Sequence, residues 1–140
     1  MKELTAGGGV LYRQKSGKIQ VVLIYRRGVW DLPKGKKEEN ENIAECAMRE
    51  VAEEVGIPLP VIESELGTTY HEYTMEGLPV GKKTFWYAMR TRNGDSFTPQ
   101  REEDIEQVKW VDLDQARDRV GFENLREILD AFKSWKEPSG

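Results

Sequence analysis

The sequence predicts an α/β fold in which a mixed β-sheet is sandwiched between helices, and three observations lead there. Runs of β-branched and aromatic residues are interleaved with segments of helical period. Glycine- and proline-containing turn sequences separate them. The chain has 140 residues, enough for one domain with a hydrophobic core and too few for two.

The elements follow in order. Residues 9–12 and 19–26 are rich in Val, Ile, Leu and Tyr and flank Ser16-Gly17-Lys18, so they read as two strands of a hairpin. Gly7-Gly8-Gly9 lacks the Gly-Lys-Ser/Thr that follows in a P-loop, and it reads as part of an opening strand. Ala44, Ala47, Met48, Val51 and Val55 then recur at steps of three or four residues, which predicts an amphipathic helix over 42–55. Asn42 suits its N-cap, Glu45 completes a capping box, and Gly56 suits the left-handed position beyond the last turn. Strand-like runs come next at 62–73 and 84–91, parted by the turn-forming residues 76–81, and again at 107–111. A short helix is expected over 114–119. Phe122, Leu125, Ile128, Leu129, Phe132 and Trp135 repeat at helical spacing, so a last helix should pack this stripe on the sheet. One domain over 1–136 with a flexible tail at 137–140 is the expected organisation.

Composition excludes several classes of function. The longest apolar stretches, 21–25 and 85–89, fall far short of the roughly 20 residues of a membrane helix, and the first residues lack the apolar core of a signal peptide. The single cysteine, Cys46, has no internal partner, which fits a reducing compartment, so a cytoplasmic location is expected. A net charge of −4 argues against a general nucleic-acid binder but allows a small phosphorylated ligand held by local basic groups. Oligomeric state leaves no mark in the sequence.

At about 100° per residue, Glu50, Glu53 and Glu54 fall on one side of the central helix, away from its apolar stripe. Three crowded carboxylates repel one another unless a cation neutralises them, and hard oxygen ligands suit Mg²⁺ or Mn²⁺. On these three residues alone, a solvated acidic face is the commoner explanation. The surrounding stretch changes that balance. From Gly35 the chain runs five residues to Glu41, seven more to Arg49-Glu50, then Val51, Ala52, Glu53-Glu54, Val55, Gly56 and Ile57. With usages of about 5–7% per specified residue, such a pattern arises by chance with a frequency on the order of 10⁻⁸.

This stretch resembles the Nudix box without a departure, and the flanking order of strands and helices is similar to the Nudix-type α/β/α sandwich. Asn40 stands where many relatives have glycine, and asparagine is among the residues that tolerate a left-handed backbone. The resemblance implies metal ligation by Glu50, Glu53 and Glu54, with the Gly35 carbonyl as a further ligand. It also implies that Arg49 orients these carboxylates and that Glu41 is structural. It implies a divalent cation, a small-molecule nucleotide substrate, and attack of water on a phosphoanhydride. The proton acceptor is left open between Glu53, Asp104 and Glu103.

Residues outside the box bear on the substrate. Trp30-Asp31-Leu32-Pro33-Lys34-Gly35-Lys36 is similar to the approach to the box in family members acting on dinucleoside polyphosphates and diphosphoinositol polyphosphates, and Lys34 would meet an extra phosphate as a point charge. Lys83-Thr84-Phe85-Trp86-Tyr87 resembles the strand that supplies a lysine and a tyrosine in diadenosine tetraphosphate hydrolases, and Tyr73 lies where those enzymes carry another tyrosine. Arg27 is a further candidate phosphate contact. Trp30, Trp86 and Trp110 read as packing residues, and His71 as a turn or strand residue rather than a ligand. The expectation is therefore a hydrolase of dinucleoside polyphosphates. The alternatives are a pyrophosphatase of nucleoside triphosphates or of ADP-ribose and nucleotide sugars, and a non-catalytic binding module on the same fold.

Overall fold

The computed structural model describes residues 1–91 and 96–137. Its sheet contains β1 (Lys2–Lys15), β2 (Lys18–Arg26), β3 (Val29–Asp31), β4 (Lys34–Lys36), β5 (Val61–Met75), β6 (Leu78–Arg90) and β7 (Ile105–Asp112). Three helices accompany it: α1 (Ile43–Val55), α2 (Leu113–Arg119) and α3 (Glu123–Lys136). The main path runs β3-β2-β1-β6-β5, with β4 added to β1 and β7 to β2. β1 and β6 run parallel and the other neighbours antiparallel, so the sheet is mixed, as expected.

Two cores lie on opposite faces. Leu11, Val22, Ile24, Tyr87 and Met89 pack under α1 with Ala47, Val51 and Val55. Val10, Tyr12, Leu23, Trp86 and Ala88 pack on the other face with Ala116 of α2 and Leu125, Leu129 and Phe132 of α3. The alternation of neighbours along β1 and β6 between these cores is the period-two geometry of strands.

The hairpin of β1 and β2 holds together only near its turn, where Tyr12 to Lys15 pair with Val21 to Lys18. Beyond it the strands diverge, β1 taking β4 as its neighbour and β2 taking β3. The segment carrying Asp31, Lys34 and Gly35 is thereby wedged between them, beside α1. The wedge requires small residues in β1, and the glycine run supplies them. A Cβ on Gly7 would lie 2.8 Å from the Ala47 backbone nitrogen, and one on Gly8 would lie 2.6 Å from the Pro33 carbonyl. These glycines therefore sit inside a 14-residue strand rather than at its start.

Helix α1 begins and ends as its sequence predicts. The Asn42 side chain accepts from the Glu45 N–H at 2.8 Å, and Glu45 accepts from the Asn42 N–H at 2.9 Å. Gly56 adopts φ 74°, ψ 52° and closes the helix onto Ala52. Asn40, by contrast, needs no left-handed backbone, being absent from the residues of positive φ.

The expected turn at 76–81 contracts to two residues, Glu76 and Gly77, both at positive φ (53° and 77°), as a tight hairpin of this hand requires. Its flanks join long strands. The three-residue strands β3 and β4 are too short to show a period and were not expected. Phe122 precedes α3 as its N-cap and is 44% exposed, so it does not belong to the buried stripe with Leu125, Ile128, Leu129 and Phe132. Of the expected tail at 137–140, only Glu137 is among the described residues. None of the described helices is long and apolar enough to cross a membrane.

Candidate active site

The box glutamates divide into two groups around two arginines. Arg49 lies between α1 and the loop before it. Its Nε and Nη2 donate to the two oxygens of Glu41 at 2.9 and 2.7 Å. Its Nη1 reaches Glu50 at 3.2 Å and Glu53 at 3.0 Å, and Nη2 also donates to the Lys36 carbonyl at 3.0 Å. This two-pronged bond with Arg49 is the main reason the Glu41 carboxyl is held down to about 2. Glu41 thus anchors the arginine, and the arginine aims at Glu50 and Glu53.

Glu50 sits against the backbone of β4. A Cβ on Gly35 would fall 2.0 Å from its carboxyl carbon, so only glycine leaves room for this carboxylate. Burial pushes the Glu50 carboxyl up to about 7; Glu54 and Glu53 add repulsion, and Arg49 opposes the rise.

Glu54 is buried rather than turned to solvent, because the wedge of β3 and β4 covers it. Its Oε1 accepts from the Lys34 N–H at 3.0 Å and its Oε2 from Arg26 Nη1 at 3.3 Å. Burial raises its carboxyl above the ordinary carboxylate range, with Arg26 as the first opposing influence. Arg26 also reaches Asp31 at 3.7 Å and donates to the Glu103 carbonyl at 3.5 Å. It therefore ties the end of α1 to the 3₁₀ turn Arg101–Glu103. The Gln100 N–H donates to the Glu54 carbonyl at 3.2 Å, which holds the same turn against the helix.

A cleft of about 610 Å³ opens beside this cluster. That is within the usual size of a small-ligand site, roughly 300–1,000 Å³. Its walls carry the cations Arg26, Arg27, Lys34, Lys36 and Lys82, against the anions Asp31 and Glu103. One wall is aromatic: His71 and Tyr73 stack with centroids 5.6 Å apart and an interplanar angle of 18°. Phe122, Leu125 and Trp86 also line it, Trp86 being fixed by its indole N–H to Thr69 at 2.9 Å. Lys34 Nζ lies 2.9 Å from Asp31, which orients it at the mouth.

The structure brings Arg27, Lys34 and Tyr73 to this cleft, but not Lys83 or Tyr87. Tyr87 is 6% exposed and packs in the core under α1, and Lys83 shares its face of β6. Residues two apart on a strand share a face, so the cleft receives Lys82, Thr84 and Trp86 instead. Asp104 has φ 62° at the end of the 3₁₀ turn, is largely exposed, and pairs with Arg27 at 3.0 Å. Arg26, Lys36, Lys82 and Phe122 also line the cleft, and sequence reading missed them. The adjacent pairs Arg26-Arg27 and Lys82-Lys83 flagged the regions but not the members.

Among the described residues, no three His, Cys, Asp or Glu side chains stand together at metal-ligating spacing. Arginine contacts hold the three box glutamates instead. The donor set nevertheless fits a hard divalent cation, since Glu50, Glu53, Glu54 and the Gly35 carbonyl offer only oxygen. The Arg49 guanidinium already sits between two of these carboxylates, which marks the gap as one a positive charge favours.

Fold and site together define an α/β/α sandwich protein in which a carboxylate-bearing helix opens onto a basic, partly aromatic cleft. The sequence matches the NUDIX domain model over residues 3–132, and the chain belongs to the NUDIX family. It is 30% identical over 138 residues to an 8-oxo-(d)GTP phosphatase of Mycolicibacterium smegmatis, covering 91% of this chain but only 40% of that relative's length. It is 29% identical over 136 residues to the asymmetrical bis(5'-nucleosyl)-tetraphosphatase of Caenorhabditis elegans, covering 93% of this chain and 94% of the relative. The crystal structure of a C. elegans Ap4A hydrolase binary complex matches with a TM-score of 0.74 at 25% identity, covering 95% and 97% of the two chains.

Proposed function

We propose that this chain is a metal-dependent hydrolase of phosphoanhydride bonds in nucleotide compounds, with dinucleoside polyphosphates as its preferred substrates. The observation that carries the reading is the cleft, where cations run from an aromatic wall towards the carboxylate helix. A polyphosphate needs several positive charges in a row, and a nucleobase needs a flat apolar surface. His71, Tyr73 and Phe122 suit the base, while Arg27, Lys34, Lys36 and Lys82 suit the phosphates. The near full-length similarity to the C. elegans tetraphosphatase supports the same substrate class.

Each residue then has a task. Lys34 and Lys82 draw in the phosphate chain, and Lys34 also fixes Glu54 through its backbone N–H. Glu41 holds Arg49, and Arg49 sets Glu50 and Glu53. A Mg²⁺ or Mn²⁺ ion held by Glu50, Glu53, Glu54 and the Gly35 carbonyl would neutralise phosphate charge and acidify the attacking water. The proton acceptor in this reading is Glu53 or Asp104. Glu53 is the most open of the three box glutamates, at 46% side-chain exposure against 16% for Glu50 and 4% for Glu54. Asp104 is carried by the turn that Arg26 ties to Glu54.

A second reading, hydrolysis of mononucleoside triphosphates, is favoured by the similarity to the M. smegmatis phosphatase. A substrate panel with Mg²⁺, with products resolved by chromatography, separates the two. Diadenosine tetraphosphate should be cleaved with the highest kcat/KM. Mononucleoside triphosphates turning over far faster than any dinucleotide would refute the first reading.

A further inference from the structure

Lys82 differs from Arg26, Arg27 and Lys34, three of the other cations of the cleft. Arg26 and Lys34 have Asp31 beside them, and Arg27 has Asp104. Among the described residues, no carboxylate lies within ion-pair distance of Lys82. Its half-buried side chain leaves β6 with Nζ 5.6 Å from the centroid of the Tyr73 ring. The charged and titratable groups facing it are the cations Lys34, Lys36 and Arg26, the anion Asp31, and Tyr73 and His71 on β5. Burial first, and repulsion from those cations next, pull its ammonium down to about 8. At pH 8 roughly half of such an amine is free, whereas an ordinary lysine has well under 1%. A free amine is a nucleophile, and this one opens into a space whose neighbours attract phosphate.

We propose that Lys82 is an acylation site, taking its acyl group from acyl phosphates drawn into the cleft by Lys34, Lys36 and Arg27, and that acylation closes the cleft to polyphosphates. The Nζ lone pair attacks the acyl carbon, the bond from that carbon to the phosphate oxygen breaks, and inorganic phosphate departs. Nζ loses its proton to solvent, and a neutral amide replaces the amine. The cleft then lacks a cation that no carboxylate balances and gains an uncharged group in the phosphate path. The inference rests on the cleft being an anion site, as in the reading above, and not on hydrolysis itself.

The test treats the full chain with acetyl phosphate at pH 8, with and without excess inorganic pyrophosphate, and follows each lysine by peptide mass spectrometry. The excess of free amine at Lys82, partly offset by its lower basicity, should make it react on the order of 10-fold faster than exposed Lys15. Pyrophosphate should protect Lys82 and leave Lys15 unaffected. Calorimetry should show pyrophosphate binding weakened at least several-fold after acetylation of the wild-type chain, and unchanged by the same treatment of Lys82→Arg. Equal rates at Lys82 and Lys15, or no protection by pyrophosphate, would overturn the proposal. Because these readouts need no turnover, selective acetylation in a chain that cleaves no dinucleotide would keep this inference and refute only the hydrolase reading.

Discussion

Replacing Gly35 with alanine adds one methyl group and aims it at the carboxylate helix. The new Cβ would meet the Glu50 carboxyl carbon at 2.0 Å and its oxygens at 2.2 and 2.3 Å, where ordinary contact begins at 3.4 Å. Glu50 must retreat by about 1.4 Å, and its 3.2 Å contact with Arg49 is lost with it. A displacement of about 1 Å at a reacting centre costs about 10²-fold in rate, and a disturbed ligand costs about 10–100-fold in metal affinity. Stability should change far less. Gly35 does not use the left-handed backbone that alanine resists, the atoms in its way end a flexible side chain, and alanine restricts the unfolded chain by about 0.4–1 kcal/mol. The expected result for Gly35→Ala is therefore a melting temperature within about 5 °C of wild type, kcat about 100-fold lower, and a Mg²⁺ half-saturation raised at least about 10-fold. Wild-type turnover with an unchanged Mg²⁺ titration would refute the placement of Glu50 in the metal site.

Lys82 should trade stability for binding. Its ammonium is held at about 8 in the folded chain against 10.5 for a free lysine, so the folded state pays a charge cost that is fully present below pH 8 and relieved as pH rises to 10.5. Lys82→Met should raise stability at pH 7 by about 1–2 kcal/mol, discounted for residual solvent, in chemical denaturation, while raising KM for a polyphosphate. In the wild type KM should climb above about pH 8 as the amine deprotonates, and Lys82→Arg should flatten that rise. Asn42→Ala removes one half of the capping box and should cost about 1 kcal/mol in the same denaturation assay, leaving kcat unchanged. Gly7→Ala drives a Cβ to 2.8 Å from the Ala47 backbone, which cannot yield as a side chain end can, so destabilisation by at least about 2 kcal/mol is expected by thermal melting.

The legible parts of this molecule were those encoded locally. Helix α1 declares itself through period, capping box and terminal glycine, and the spacing from Gly35 to Gly56 places its carboxylates. What escaped depends on non-local register. β6 pairs with β1 in an unbroken register, and a slip of one residue there would exchange the faces of Lys82 and Lys83. The adjacent arginines Arg26 and Arg27 part because β2 ends at Arg26 and Arg27 enters the turn to β3 with φ 52°. Arg26 turns inward to Glu54 and Arg27 turns outward to Asp104. Glu54 looked solvent-facing on a helical wheel because a wheel ignores β4, which covers it. Phe122 fits the apolar stripe of α3 by spacing, yet it precedes the helix and lies at the cleft.

In the proposed reaction the carboxylates of α1 work with a divalent cation to cleave a phosphoanhydride. Its most direct test is the turnover of diadenosine tetraphosphate by wild-type and Glu53→Gln chains, each with Mg²⁺ and with excess chelator. Turnover is expected only for the wild type with Mg²⁺, with a loss of at least about 10³-fold for Glu53→Gln in a chain that melts at the wild-type temperature. Equal turnover by both chains, or turnover that survives the chelator, would contradict it.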